Sequence, residues 1–415
     1  MSHPPRVRSN SAARAAGDWG QVVPRRRRGR PEEESSKVVH LVDTEEFEDL
    51  GLDGSELRCE DHGRAIERLP EDAGFRGRLS QRARPVRWEN TMKTDSGSPE
   101  FRDAAYLYML RALPLRDLTT VLGCFPTPEI LREASSQGRL TRLGVPLSER
   151  MGDIITRWDV LAEKARVTID RSMANGIHAL SLLSNTYPEL LRLIPDPPPL
   201  LFVRGSVGVL SVAGAAALVG TREPSERGRH LAHHIARHLA GVGFGIVSGL
   251  AKGIDTCAHE GALAAGGRTI AVLGTPPDHI YPAENTRLAA RILDEGGALV
   301  SEQASGEQGG RQAFVRRDRI QSGLAVGVVA VQTDITGGTM HTVKFAEKQG
   351  RVLLAPRPSA DEAHMRQCAG ISELIRTGRA RAFDGMPSSE MVRELDARRA
   401  ALVPARMARL HDKGQ

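Results

Sequence analysis

The residues of this chain with the types and spacing to do chemistry are glycines, small hydroxyls and isolated cations, placed where short apolar runs end. Val219-Gly220-Thr221-Arg222 directly follows one such run, with Ser225 placed to cap the helical stretch behind it. Ser248-Gly249-Leu250-Ala251-Lys252-Gly253-Ile254-Asp255 follows another; its glycines let the backbone approach a ligand, and Lys252 adds a point charge. Thr336-Gly337-Gly338-Thr339 opens a third helical stretch, whose N-terminal amides and dipole favour an anion. Together the three loops describe a phosphate site, whereas any one of them alone reads equally as a tight turn. The P-loop pattern, GxxxxGK followed by Ser or Thr, is absent, and so is the GxGxxG dinucleotide fingerprint.

Phe314-Val315-Arg316-Arg317-Asp318-Arg319 sets three arginines beside one ring. A guanidinium grips phosphate with a planar fork and a ring stacks on a base; the competing reading is a solvated basic helix with Phe314 in the core. His259 follows Asp255 by one helical turn, the geometry of a base and its orienter. Without an accompanying nucleophile, the pair reads better as a cap and a buried histidine. Cys59, Cys124, Cys257 and Cys368 lie too far apart for a metal knuckle or a disulfide frame. The expectation is no metal, no cofactor and a reducing compartment.

These loops need a scaffold, and the pattern beyond Leu200 supplies one. Wholly apolar runs at 215–219, 244–248, 269–273, 298–301, 326–331 and 352–355 predict strands. Amphipathic stretches at 227–240, 255–265, 285–294 and 340–348 predict helices between them. Apolar strands separated by helices argue for a doubly wound parallel sheet covered on both faces, which binds ligands at the carboxyl ends of its strands.

Before it, Ala104, Leu107, Leu110, Leu113, Leu118, Val121 and Leu122 recur at helical spacing, predicting several short helices over 98–185. The prolines of Tyr187-Pro188 and Asp196-Pro197-Pro198-Pro199 then end the helices. Residues 1–97 are rich in Arg, Glu, Ser, Gly and Pro without periodicity and are expected to be a disordered arm, with Arg25, Arg26, Arg27, Arg28 and Arg30 as its basic cluster. The acidic run 44–50 within it reads as a solvated or partner-binding helix. The domains expected are therefore this arm (1–97), a helical domain (98–185), an α/β domain (186–383) and a helical tail (384–415).

The bulk numbers restrict the function. Of 415 residues, 40% are hydrophobic, enough for a core, but only 4% are aromatic, so contacts to bases lean on few rings. A net charge of +6 attracts polyanions through counterion release. No apolar run long enough to span a membrane and no signal-peptide core is visible, so a soluble cytoplasmic protein is expected.

Read together, these segments resemble the DNA-processing protein A (DprA/Smf) family. The resemblance is carried in order by Tyr187-Pro188-Glu189-Leu190-Leu191, Asp196-Pro197-Pro198-Pro199, Leu201-Phe202-Val203-Arg204-Gly205 and Val219-Gly220-Thr221-Arg222 with Gly228. It continues through Val247 to Thr256 with Ala258-His259 and Gly261-Ala262-Leu263, then Gly267 to Gly274, Ile280-Tyr281-Pro282 with Asn285, and Ser301-Glu302. It covers about Tyr187 to Gly378, more weakly the helices before it. What the resemblance implies is an extended Rossmann-like fold preceded by a small SAM-like helical domain. It also implies a homodimer that binds single-stranded DNA without cutting it, protects incoming or exposed strands, and loads RecA in natural transformation or homologous recombination.

The implied pocket comprises Arg222, Gly249, Lys252, Gly253, Phe314, Arg317, Arg319, Gly338 and Thr339, with Ser225 and Arg316 as neighbouring candidates. The chain departs from the family's FPxRNR segment at Val315 and Asp318, from its SGSxxTA loop at Gly337 to Val343, and from its last-strand proline-glycine at Pro356-Arg357. The C-terminal winged helix of many members and the hairpin glycines near Leu113-Pro114-Leu115 are not expected here. Two other readings stay open: a phosphoribohydrolase-like enzyme, echoed by Gly337-Gly338-Thr339 with Glu347, and a regulatory or phage-defence partner built on the same fold.

Overall fold

The computed structural model describes residues 98–211 and 214–411, so the basic cluster at 25–30, the acidic run at 44–50 and the expected arm lie outside the described residues. All described residues fall within one compact unit. Its helical part starts where Ser98 accepts a hydrogen bond from the Phe101 amide and Pro99 occupies the first turn, opening α1 (Pro99–Leu110). Helices α2 (Leu115–Cys124), α3 (Pro128–Ser136, capped by Thr127), α4 (Val145–Thr156) and α5 (Trp158–Ala174) follow. Their common core contains Tyr106, Leu107, Leu110, Leu118, Leu131 and Met151. It is completed by Ile177, Leu200 and Phe202, which come from strands. The helical part therefore closes its core against the sheet and not on itself. Each fully buried leucine here contributes roughly 1.5–3 kcal/mol relative to an exposed one.

Among the described residues the sheet has nine strands in the order β1-β2-β6-β5-β4-β3-β7-β8-β9. They are β1 (Ile177–Ser181), β2 (Leu200–Gly205), β3 (Ala215–Val219), β4 (Gly245–Ser248), β5 (Thr269–Val272), β6 (Ala298–Ser301), β7 (Gly327–Ala330), β8 (Val352–Pro356) and β9 (Arg381–Phe383). The six strands expected from sequence are present and run parallel, while β1 and β2 add an antiparallel edge beside β6 and β9 a parallel one beside β8. The helical reading of 98–185 is thus corrected over 177–181, which pairs in register with β2. Five residues give too short a period-two pattern to stand out behind a long helix.

The connecting helices are α6 (Glu189–Arg192), α7 (Glu226–Gly241), α8 (Ile254–Ala264), α9 (Thr286–Asp294), α10 (Arg311–Gly323), α11 (Thr339–Lys348), α12 (Arg366–Arg376) and α13 (Ser389–His411). Strand β3 shows why the apolar runs are continuous: Ala215, Ala217 and Val219 enter one core, Ala216 and Leu218 the other. From β3 the chain winds through β4 and β5 to β6 on one side, and β7 and β8 continue on the other, so strand order reverses between β3 and β7. A crevice opens at such a reversal because the loops leaving the two strands diverge to opposite faces. Among the described residues no helix is long and apolar enough to cross a membrane.

Candidate functional site

A cleft of about 740 Å³ lies at this reversal, walled by the loop after β3 (Val219 to Glu223), by Ala251 and Asp255, by α10 and by the loop from Thr333 to the start of α11. A side pocket of about 60 Å³ adjoins it, lined by Arg222, Gly249, Lys252, Tyr281, Phe314 and Arg317 among others.

The glycines let the loops stack. Gly253 has φ +81°, and a Cβ there would lie 2.5 Å from the Thr221 carbonyl oxygen, so the second loop can rest on the first only through glycine. The Ile254 amide then donates to that same carbonyl at 3.2 Å. A Cβ on Gly249 would overlap the Arg317 guanidinium, which packs against this backbone. Asp255 holds the turn by accepting from the Gly249 and Ala251 amides, and Asn285 Nδ2 donates to the Leu250 carbonyl at 2.8 Å and to Thr256 Oγ1 at 3.0 Å. His259 lies fully buried beneath: Nε2 accepts from the Leu250 amide at 3.3 Å, and Nδ1 is 2.7 Å from Thr269 Oγ1. Because Thr269 Oγ1 donates its own proton to the Ile246 carbonyl, Nδ1 carries the imidazole proton and the ring is neutral. Burial pushes its pKa down to about 3, with the Arg317 charge adding to the effect. His259 is therefore a buried histidine, while Asp255, expected as a cap, is a first-turn residue of α8 that holds the preceding loop, the N-cap itself being Gly253.

Arg317 is the cationic floor of the cleft, 9% exposed, with Nη1 donating to the Val272 carbonyl at 2.9 Å. Its Nε lies 3.0 Å from Asp318 Oδ1, out of line for a hydrogen bond, and has no other partner among the described residues. With its amide oriented to satisfy its neighbours, Gln321 accepts from the Gly249 amide and Arg317 Nη1 and donates to Asp318 Oδ1. Burial pushes the Asp318 carboxyl up to about 7; Arg317 opposes the shift, Asp255 adds to it and Arg222 opposes it. Burial likewise raises the Asp255 carboxyl, against the pull of Arg317 and its backbone donors.

The expected site residues divide between cleft and scaffold. Arg222, Phe314, Arg317, Gly338 and Thr339 line the cleft, and Gly249 and Lys252 line the side pocket. Lys252 is exposed and ion-paired with Glu284. Four candidates line neither opening: Gly253 lies under the Thr221 carbonyl, and three others sit elsewhere. Arg319, expected in the pocket, is 8% exposed and forks onto Glu302 at 2.6 and 2.7 Å, with Nε donating to the Asp196 carbonyl at 3.0 Å. Arg316 is exposed but outside the cleft lining, and its carbonyl accepts from Arg319. Ser225 caps α7 by accepting from the Gly228 amide and donates to Glu362, outside the cleft lining. At 3.6 residues per turn Arg317 is rotated about 100° from Arg316 and about 200° from Arg319, so a single helix cannot aim all three side chains at one opening. Glu347, the acid of the enzyme reading, is taken by Arg379 at 2.7 Å.

The cleft also gathers residues that motif reading passed over as site residues. Tyr281, 51% exposed, meets the Phe314 ring edge-on at a centroid distance of 5.5 Å, and Phe314 rests on Gly274, where a Cβ would come within 2.7 Å of the ring. Arg311, at the start of α10, and His341, in the first turn of α11, are exposed and line the same cleft. The available signal for Tyr281 was an aromatic beside a proline in a chain with only four tyrosines. Among the described residues no group of three or more His, Cys, Asp or Glu is arranged to hold a metal ion.

An open, mostly parallel α/β sheet with a cationic, partly aromatic crevice at its switch point defines a Rossmann-like α/β protein. The family model for DNA recombination-mediator protein A matches residues 178–395. The chain is 38% identical over 203 residues to the DNA processing protein DprA of Bacillus subtilis, spanning 49% of this chain and 67% of that one. It is 39% identical over 197 residues to protein Smf of Synechocystis, spanning 46% and 48%. The X-ray structure of DNA processing protein A from Streptococcus pneumoniae superposes with a TM-score of 0.52 at 30% identity, covering 68% of this chain and 95% of that one. The chain belongs to the DNA recombination-mediator protein A family, in agreement with the DprA/Smf resemblance.

Proposed function

We propose that this protein binds single-stranded DNA in the switch-point cleft and, as a cytoplasmic homodimer, delivers it to a RecA-type recombinase during DNA uptake or recombination. The observation that carries the reading is the juxtaposition of Arg222, Arg311 and Arg317 with the Tyr281 and Phe314 rings around one opening. Cations neutralise successive phosphates while rings stack on unpaired bases, a combination that favours single strands over a duplex. The amide-rich start of α11 adds a further anion-compatible wall through Gly338 and Thr339. Asp255 and His259 are committed to holding the glycine loop, which supports binding without turnover.

The test is fluorescence anisotropy with a labelled oligonucleotide, single-stranded against duplex, over a salt series. The expected result is tighter binding of the single strand, with log affinity falling linearly against log salt. Absence of binding at low salt sinks the proposal. Delivery is tested by RecA filament assembly on DNA already coated with a single-strand-binding protein; acceleration is expected, and no change would limit the role to binding.

A further inference from the structure

Arg317 is flanked by two carboxylates, which differ in how they are held. Asp255 is fixed by the Gly249 and Ala251 amides and serves the loop. Asp318 sits beside Arg317 with its side chain 11% exposed on the cleft wall, and its polar neighbours are the out-of-line Arg317 Nε and the Gln321 amide. From the elements around it, Asp318 also meets the charges of Asp255 on α8 and Arg222 after β3. Arg311 on its own helix, His341 on α11, Glu223 and Asp334 line the same cleft. Among the described residues no backbone amide locks Asp318 as two lock Asp255, so it is the carboxylate that can give way.

We infer that Asp318 is a built-in competitor for Arg317, so that a phosphodiester entering the cleft takes the guanidinium and the displaced carboxyl takes up one proton from solvent. The inference rests on the single-stranded DNA reading of this cleft and concerns its regulation. The balance is simple: no covalent bond to the nucleic acid is made or broken, the phosphate keeps its charge, and Asp318 goes from carboxylate to carboxylic acid. Two anions cannot share one buried cation in a low-dielectric wall without one being neutralised. The position of Asp318 in the free protein, pushed up to about 7, places the exchange within the working range of a cell. In this chain DNA binding would be strengthened by mild acidification, and the residue responsible is one where the sequence departs from the family motif.

The experiment uses the full chain, a labelled oligothymidylate and constant ionic strength between pH 6.0 and 8.5, comparing the parent with Asp318→Asn. For uptake of one proton, parent affinity falls toward tenfold per pH unit above about 7. The variant, which keeps the shape and cannot take up the proton, is expected to hold its affinity and bind roughly tenfold more tightly at pH 8. His341 is kept in both proteins, so any contribution it makes cancels. Calorimetry of the parent alone in buffers of different ionisation heat reads the proton directly and does not depend on the variant folding. Parallel pH profiles, or no buffer-dependent heat, overturn the inference while leaving DNA binding intact. A parent that binds no oligonucleotide at pH 6.0 and low salt overturns the single-stranded DNA reading and this inference with it.

Discussion

Neighbouring arginines of one segment divide here between ligand site and scaffold, and substitutions should separate the two roles. Arg222→Ala removes an exposed cation from the cleft mouth and is expected to weaken oligonucleotide binding about tenfold or more, as loss of a charge-assisted contact does, while leaving the unfolding midpoint unchanged. Arg319→Ala leaves Glu302 without its fork beside the Asp196 segment and is expected to cost about 2–3 kcal/mol in urea unfolding. That figure is set below the fully buried case because the Glu302 side chain is 21% exposed. Equal effects of the two substitutions on binding with no loss of stability would contradict the division. His259 gives a pH prediction. Its folded-state pKa is depressed to about 3, so its contribution to stability is present above the unfolded value and is lost as pH falls from about 6.5 toward 3. Unfolding free energy measured over that window should fall by up to about 1.4 kcal/mol per pH unit from this residue, and the slope should shrink in His259→Asn.

Between residues and molecule stand the loops, which were the most legible part of the site. Glycine placement marked the three loops, and in the second loop the steric demand is visible: Gly253 holds a positive φ under the Thr221 carbonyl, and Gly249 makes room for a guanidinium, whereas Gly338 has open space around it. Gly253→Ala is expected to destabilise by roughly 1–3 kcal/mol through strain and to separate the two loops, so oligonucleotide affinity should fall together with the denaturation midpoint. Unaltered affinity in a stable Gly253→Ala protein would show that loop stacking does not build the site. Helix α10 was less legible, since sequence proximity suggested one arginine cluster. The helical rotation sends Arg317 to the cleft, Arg319 to Glu302 and Arg316 to solvent.

Across the whole molecule, the helical part is tied to the loop that leads into α10. Tyr108 Oη donates to Glu307 Oε1 at 2.8 Å, Arg111 forks onto the same carboxylate, and Asn175 Nδ2 donates to Ser305 Oγ at 2.8 Å. A Cβ on Gly309 of this loop would lie 2.1 Å from the carbonyl oxygen of Gly274, the residue that supports Phe314. Helix α1 and the end of α5 thus hold the loop that leads into one wall of the cleft. The basic cluster at Arg25 to Arg28 and Arg30 carries the remaining prediction. Deleting residues 1–96 should leave a cooperative thermal transition and flatten the slope of log affinity against log salt, since fewer phosphates are neutralised. Loss of the transition would show that the segment is needed for folding.

What the amino-acid sequence determined by itself was local: apolar runs that can only be buried parallel strands, glycines that only turns and close approaches require, and an ordered motif series that identifies the family. These signals depend on a residue and its near neighbours, where period and backbone conformation act directly. The tertiary structure decided what depends on distant partners. It paired β1 with β2 across an intervening proline-rich stretch, brought Tyr281 onto Phe314, gave Arg319 to Glu302 and Asp196, and set Asp318 against Arg317 in a wall dry enough to raise its carboxyl. Whether an arginine meets a phosphate or a buried carboxylate is settled by which way its helix is turned and by what the rest of the fold places opposite, and neither is written in its immediate neighbours.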